Sequence, residues 1–187
     1  MTPSNIPFET ADDVLRFWFE ETPPELWFEK NDAFDATIVA RGMVLHERAA
    51  AGGLSAWRDS ADGALAEIIT LDQFPRNMFR ESPRSYATDP LARECAEAAL
   101  ARGFDQALEP VQRPFMYLPL QHSEDPADQE RQVALFEAHG NADSLKWAVH
   151  HKVIVDRFGR FPHRNALLGR ESTPEELAFL KEPNSSF

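Results

Sequence analysis

Apolar residues recur along this chain at helical rather than alternating spacing. Val14, Leu15, Trp18 and Phe19 form the first stripe. Thr10 and Asp13 stand just before it at capping-box spacing. Pro23 and Pro24 interrupt the pattern, which resumes over 25–51 with Phe34, Ile38, Arg41 and Leu45 on one face and Gly52-Gly53 at the end. A third helix is predicted from Asp62 to Phe74, spaced by Leu65, Ile68, Ile69 and Asp72 and stopped by Pro75. Asp89-Pro90 opens a fourth, with Asp as N-cap and Pro at the first helical position, ending near Gly103. Pro110 and Pro114 bracket a short helix reaching about Leu118. Asp125-Pro126 caps another, which carries Val133, Leu135 and Phe136 and closes at Gly140. The next begins at Asp143 or Ser144 and runs to about Phe158. Thr173-Pro174-Glu175-Glu176 starts the last, ahead of Leu177, Phe179 and Leu180.

No segment alternates apolar and polar residues with β-branched enrichment. The expectation is therefore an all-α fold, one domain over 1–187, with seven or eight helices packed as antiparallel hairpins. Periodicity alone does not reveal a 34-residue repeat, so a solenoid cannot be derived from it.

Composition supports a packed core, since 14 Phe and 4 Trp are available to a chain of 187 residues. A net charge of -12 argues against non-specific nucleic-acid or anionic-membrane binding. The charge is uneven. Lys152, Arg157, Arg160, Arg164 and Arg170 stand against Asp156 alone in 150–170, which gives that segment +4 and the remainder -16. Such a segment can attract a small anion. The single cysteine, Cys95, excludes an internal disulfide and reads as a packed thiol on a helix. No basic region followed by an apolar run begins the chain, and no stretch nears the ~18 apolar residues of a membrane span. A cytoplasmic location is expected.

Several motifs are missing. There is no Cys-x-x-Cys, no His-Glu-x-x-His, no Glu-x-x-His pair, no Gly-x-Ser-x-Gly and no phosphate-binding glycine loop. No metal or cofactor is expected.

Three segments carry candidate chemistry. Phe74-Pro75-Arg76-Asn77 is echoed by Phe161-Pro162-His163-Arg164-Asn165. In each, a proline ends a helix and an Arg-Asn pair follows. Those side chains can cap the exposed carbonyls of the helix end. Alternatively the arginines face a shared cleft and grip a carboxylate or phosphate. In the second segment, Trp147, His151, Ile154 and Phe158 lie on one helical face, with His150 turned away. His151 is then either a hydrogen-bonded core residue or a general base. The third segment runs from Tyr117 to Asp125 and reads as a loop between helices. Its His122 and Glu124 are either solvated or form an acid–base pair.

Together, Leu71-Asp72-Gln73-Phe74-Pro75-Arg76-Asn77, Tyr117-Leu118-Pro119-Leu120-Gln121-His122-Ser123-Glu124, Arg157-Phe158-Gly159-Arg160-Phe161-Pro162-His163-Arg164-Asn165 and Leu168-Gly169-Arg170-Glu171-Ser172-Thr173 resemble the bacterial proteins called Domain of Unknown Function 924. The resemblance runs from Val14-Leu15-Arg16-Phe17-Trp18 to the last helix. It implies a tetratricopeptide-like, all-α superhelix of helical hairpins, and no established activity or cofactor. The signature residues it marks are Asp72, Arg76, Asn77, His122, Glu124, His151, Arg157, Arg160, His163, Arg164, Asn165 and Arg170.

Three functional expectations follow. The first is a binding module in which Arg76, Asn77, Arg157, Arg160, His163, Arg164, Asn165 and Arg170 bind a small anionic molecule or acidic peptide, with Trp18, Trp27 and Tyr117 as apolar walls. The second is an enzyme acting on an anionic metabolite, with His151 or His122 as base and Glu124 or Asp72 orienting it. The third is a structural network that fixes helix ends. Oligomeric state is not legible in the sequence.

Overall fold

The computed structural model describes residues 6–186, and every regular element among them is helical. The chain divides into two compact units. The first contains the residues up to Arg80 and Arg84–Pro119, and the second contains Glu81–Pro83 and the residues from Leu120 onward.

In the first unit, α1 (Ala11–Arg16) begins with the expected capping box, Thr10 and Asp13 satisfying each other's backbone N–H groups. It passes into a π-helical turn, Phe17–Glu21, which ends when the Thr22 hydroxyl donates to Phe17 O at 2.7 Å. The second helix starts later than its periodicity predicts. Pro24–Trp27 winds as a 3₁₀ turn, and α2 (Asp32–Ala50) begins where the Asn31 side chain accepts from the N–H groups of Ala33 and Phe34. Phe34, Ile38, Arg41 and Leu45 are all buried, as their common face requires.

Pro75 does not stop the third helix. Helix α3 (Ala61–Ile68) continues through a π turn, Ile69–Gln73, into α4 (Phe74–Met78). Pro75 has no N–H to offer the carbonyl one turn back. That carbonyl, Leu71 O, instead accepts from the Thr88 hydroxyl at 2.6 Å. With its orphaned acceptor satisfied, the helix tolerates the proline. Gly42 of α2 lets α4 approach closely, because a Cβ there would meet the Phe74 ring and the Met78 methyl at 3.0 Å.

Helix α5 (Asp89–Ala101) starts at Asp89 with Thr88 as N-cap, so Asp89 is not the cap and its carboxylate is available to Arg76. Helix α6 (Arg113–Gln121) begins near Pro114 rather than Pro110 and extends past the expected end, so Tyr117–Gln121 is helix rather than loop. Its interior Pro119 marks the junction of the units. The core of the first unit is aromatic. Trp18 packs against Phe34, Phe74 and Phe115, each ring centroid 5.9 Å away.

In the second unit, α7 (Pro126–His139) and α8 (Ala142–Phe158) form a packed hairpin. Their two-residue connection is Gly140, whose φ of 83° suits glycine, and the N-cap Asn141. The buried stripe of α7 is Gln129, Gln132 and Phe136, not the Val133–Leu135–Phe136 group read from the sequence. Gln129 Nε2 donates to the carbonyls of Leu120, Gln121 and Ser123, satisfying the exit of α6. Helix α9 (Pro174–Phe179) starts with a second capping box, and Phe179 packs with Ile154, Val155 and Phe161. No helix among the described residues is long and apolar enough to cross a membrane.

A buried ion pair ties α3 to the 3₁₀ turn Ser55–Asp59 that precedes it. Glu67 has no exposed surface and accepts from Arg58 Nε at 2.8 Å and Nη2 at 2.9 Å. The Cys95 thiol lies 3.6 Å from Glu67 Oε2, and burial together with the Glu67 charge pushes its pKa up to about 12. It is a packed, protonated thiol. Removing the guanidinium would strand a carboxylate in the core, whereas removing the Glu67 charge leaves an arginine that still reaches solvent and Glu94. Arg58→Met should therefore destabilise by about 3 kcal/mol or more and Glu67→Gln by about 1 kcal/mol, as measured by urea unfolding. Equal effects would contradict the asymmetry.

Candidate functional site

The second unit gathers most of the candidate residues. His151, on the buried face of α8, is 3% exposed. Its Nδ1–H donates to Trp147 O at 2.8 Å, and Nε2 accepts from the Gln121 amide at 3.5 Å. These partners fix one neutral tautomer. The His122 ring lies 6.3 Å from the His151 ring, and Phe161 meets His151 edge-on at 5.7 Å. His163 stands 5.9 Å from Phe161 on its other side, and the buried Arg164 guanidinium lies over the Phe161 ring at 4.6 Å. Burial first, then the charges of His122, His150 and Arg164, hold the His151 pKa well below the ordinary imidazole value.

The segment after α8 is held by a clamp. Glu124 Oε1 accepts from the Phe161 N–H at 2.7 Å and from Arg170 Nη2 at 2.9 Å, while Oε2 accepts from Arg170 Nη1 at 2.7 Å. Arg170 also donates to Phe161 O at 3.3 Å. Burial would raise the Glu124 pKa, but the bonds from Arg170 and Phe161 outweigh it and the carboxyl stays below its usual range. Arg160 forms a second bidentate pair with Glu176, at 2.6 and 2.9 Å, and holds that carboxyl at about 2. Asn165 donates to Ser172 Oγ at 3.0 Å, and Arg157 pairs with Glu175 at the surface.

The remaining candidates belong to the first unit. Arg76 makes a bidentate pair with Asp89, at 2.9 and 3.0 Å, and lies 3.3 Å from the fully buried Asp72. Asn77 Nδ2 donates to Gln73 O, and its Oδ1 accepts from Arg80. The sequence reading puts the Arg-Asn pair after a helix stop. Here both residues lie within α4, because Pro75 does not end the helix.

The sequence matches the family described as bacterial protein of unknown function (DUF924) over residues 14–184. The chain belongs to this family. It is similar to the solved structure of a protein of unknown function, ATU0120, from Agrobacterium tumefaciens, at 46% identity and a TM-score of 0.88, covering 91% of this chain and 96% of that one. No curated protein matches the sequence.

In this DUF924 protein, Arg76, Arg157, Arg160 and Arg170 meet carboxylates of their own unit. Trp18 and Tyr117 are core residues, and Tyr117 donates its hydroxyl to Asp105 at 2.9 Å. Among the described residues, no cluster of three or more His, Cys, Asp and Glu has metal-site geometry. The sequence reading missed Gln121, Gln129 and Gln132, all buried near or between the candidate groups. Their signal was visible: Gln129, Gln132 and Phe136 share a helical face, where buried amides need fixed partners.

His151 and His46 are both buried, with depressed pKa values. Below the unfolded imidazole value of about 6.5 the unfolded chain takes up protons that the folded rings refuse. Stability should therefore fall as pH drops from 7 toward 5, by at most about 1.4 kcal/mol per pH unit for each ring. His151→Gln should reduce that slope. The stabilisation from Glu124 and Glu176 is full above about 4.5 and is lost only as pH falls below it. Unfolding midpoints against pH check this, and a flat profile between 7 and 5 would contradict a buried neutral His151.

Proposed function

We propose that this DUF924 protein is a helical binding module for a small anion, with the site at the His122–His151–His163–Arg164 cluster around Phe161. One observation carries the reading: the Arg164 guanidinium and the imidazoles of His151 and His163 pack against one ring, Phe161, with the His122 ring beside His151. One guanidinium and three imidazoles, cationic once protonated, would favour an anion among them. The paired arginines support it differently. Arg160 and Arg170, tied to Glu176 and Glu124, hold the loop that carries His163 and Arg164. Asp72, Arg76 and Asn77 form a corresponding network in the first unit.

An acid–base enzyme is the second reading, favoured by the fixed tautomer of His151, whose Nε2 is an acceptor. Its depressed pKa makes it a weak base alone, and a bound anionic substrate would raise that value toward the useful range. The expected partner Glu124 has both oxygens bonded to Arg170 and the Phe161 N–H, so it would act through the loop rather than as a proton carrier.

Linkage makes the binding reading measurable. An anion that stabilises protonated His151 raises its pKa, and protonation in turn tightens anion binding. In an NMR titration with inorganic phosphate, the His151 pKa should rise and the Arg164 side-chain resonances should shift saturably. An acidic tetrapeptide in a second arm tests the larger ligand. A His151 pKa indifferent to both probes would reject the proposal.

A further inference from the structure

The first unit contains a groove of about 920 Å³, within the usual range of small-molecule pockets. Its apolar wall includes Ile6, Phe17, Leu26 and Phe34, and its polar wall includes Arg41 and Glu21. None of these residues was singled out as a site from the sequence.

Arg41 is unusual here because it is buried, at 8% exposure, yet loosely paired. Its guanidinium lies over the rings of Phe8 and Phe17, at 4.3 and 5.0 Å. Nε donates to Ile6 O at 3.1 Å and Nη1 to Glu21 Oε2 at 3.1 Å. Among the described residues Nη2 has no acceptor. Glu21 is half exposed and shared, since its other oxygen accepts from Arg16 at 3.3 Å. The bidentate pairs of Arg58, Arg76, Arg160 and Arg170 are shorter, at 2.6–3.0 Å. A guanidinium has five N–H donors in a planar fork matched to a carboxylate, and Arg41 spends two of them. The π turn Phe17–Glu21 sets both Phe17 and Glu21 against this groove. Such turns often accompany functional sites.

We propose that this groove binds a monocarboxylate with an apolar body, its carboxylate on the Nη edge of Arg41 and its hydrocarbon against Phe17, Leu26 and Phe34. Glu9, Asp13, Glu21 and Arg16 also line the groove, so with Arg41 three carboxylates face two guanidinium groups, an excess of negative charge that disfavours a dianion such as phosphate more than a monoanion. This selectivity distinguishes the groove from the histidine cluster of the second unit.

The test is an isothermal and NMR titration of the full chain with 3-phenylpropionate, 3-phenylpropanol and inorganic phosphate. The carboxylate should bind saturably and shift the Arg41 Nε–H resonance, and the alcohol should bind at least about tenfold more weakly, since a charge-assisted bidentate contact is lost. Phosphate should leave Arg41 unchanged whatever it does at His151. Arg41→Met should abolish the preference for the acid. Glu21→Gln, at a half-exposed position that should leave the fold intact, should bind the acid several-fold more tightly by removing a competing carboxylate. Equal affinity for acid and alcohol, an unmoved Arg41 resonance, or weaker binding by folded Glu21→Gln would overturn the proposal.

Discussion

The second unit depends on one carboxylate. Glu124 sits just past α6 and binds both the backbone N–H of Phe161 and the guanidinium of Arg170. Phe161 follows α8 and touches both His151 and His163, so fixing its peptide fixes the ring against which the histidines and Arg164 rest. Without the clamp, the segment between α8 and α9 would retain the Arg160–Glu176 pair but lose its tie to the end of α6. Charge-assisted bonds in a half-buried setting suit this role because they are directional and leave no unpaired charge behind.

The same device recurs in the first unit with different partners. Arg58 ties Glu67 of α3 to Glu94 of α5, and Arg76 ties Asp72 to Asp89 at the start of α5. Most of the signature arginines thus contribute local order, while His122 and Arg164 lie close to His151 and Phe161. Stabilisation and function need not be alternatives in such an arrangement. The pairs position the segment that carries His163 and Arg164.

Helix content was legible because amphipathic spacing and capping are local. Thr10–Asp13, Asp125–Pro126 and Thr173–Glu176 begin helices as their chemistry requires. Pro75 misled because a proline's effect depends on whether a distant group takes the acceptor it leaves, and Thr88 does so for Leu71. The candidate residues of the second unit were legible as a set of polar side chains in a basic segment. Their partners were not, since Glu124–Arg170 and Gln121–His151 join positions 46 and 30 residues apart. The Arg41 groove escaped notice because an arginine on an apolar helical face reads as part of the stripe.

The Glu124 clamp holds the Phe161 segment against a buried, neutral His151. The most direct check is the NMR-determined pKa of His151 in Glu124→Gln compared with the parent protein. Loosening the Phe161 segment should admit solvent and bring the value up toward that of a free imidazole while α7 and α8 stay folded. An unchanged, depressed pKa in a folded variant would mean that the histidine's environment owes nothing to the clamp.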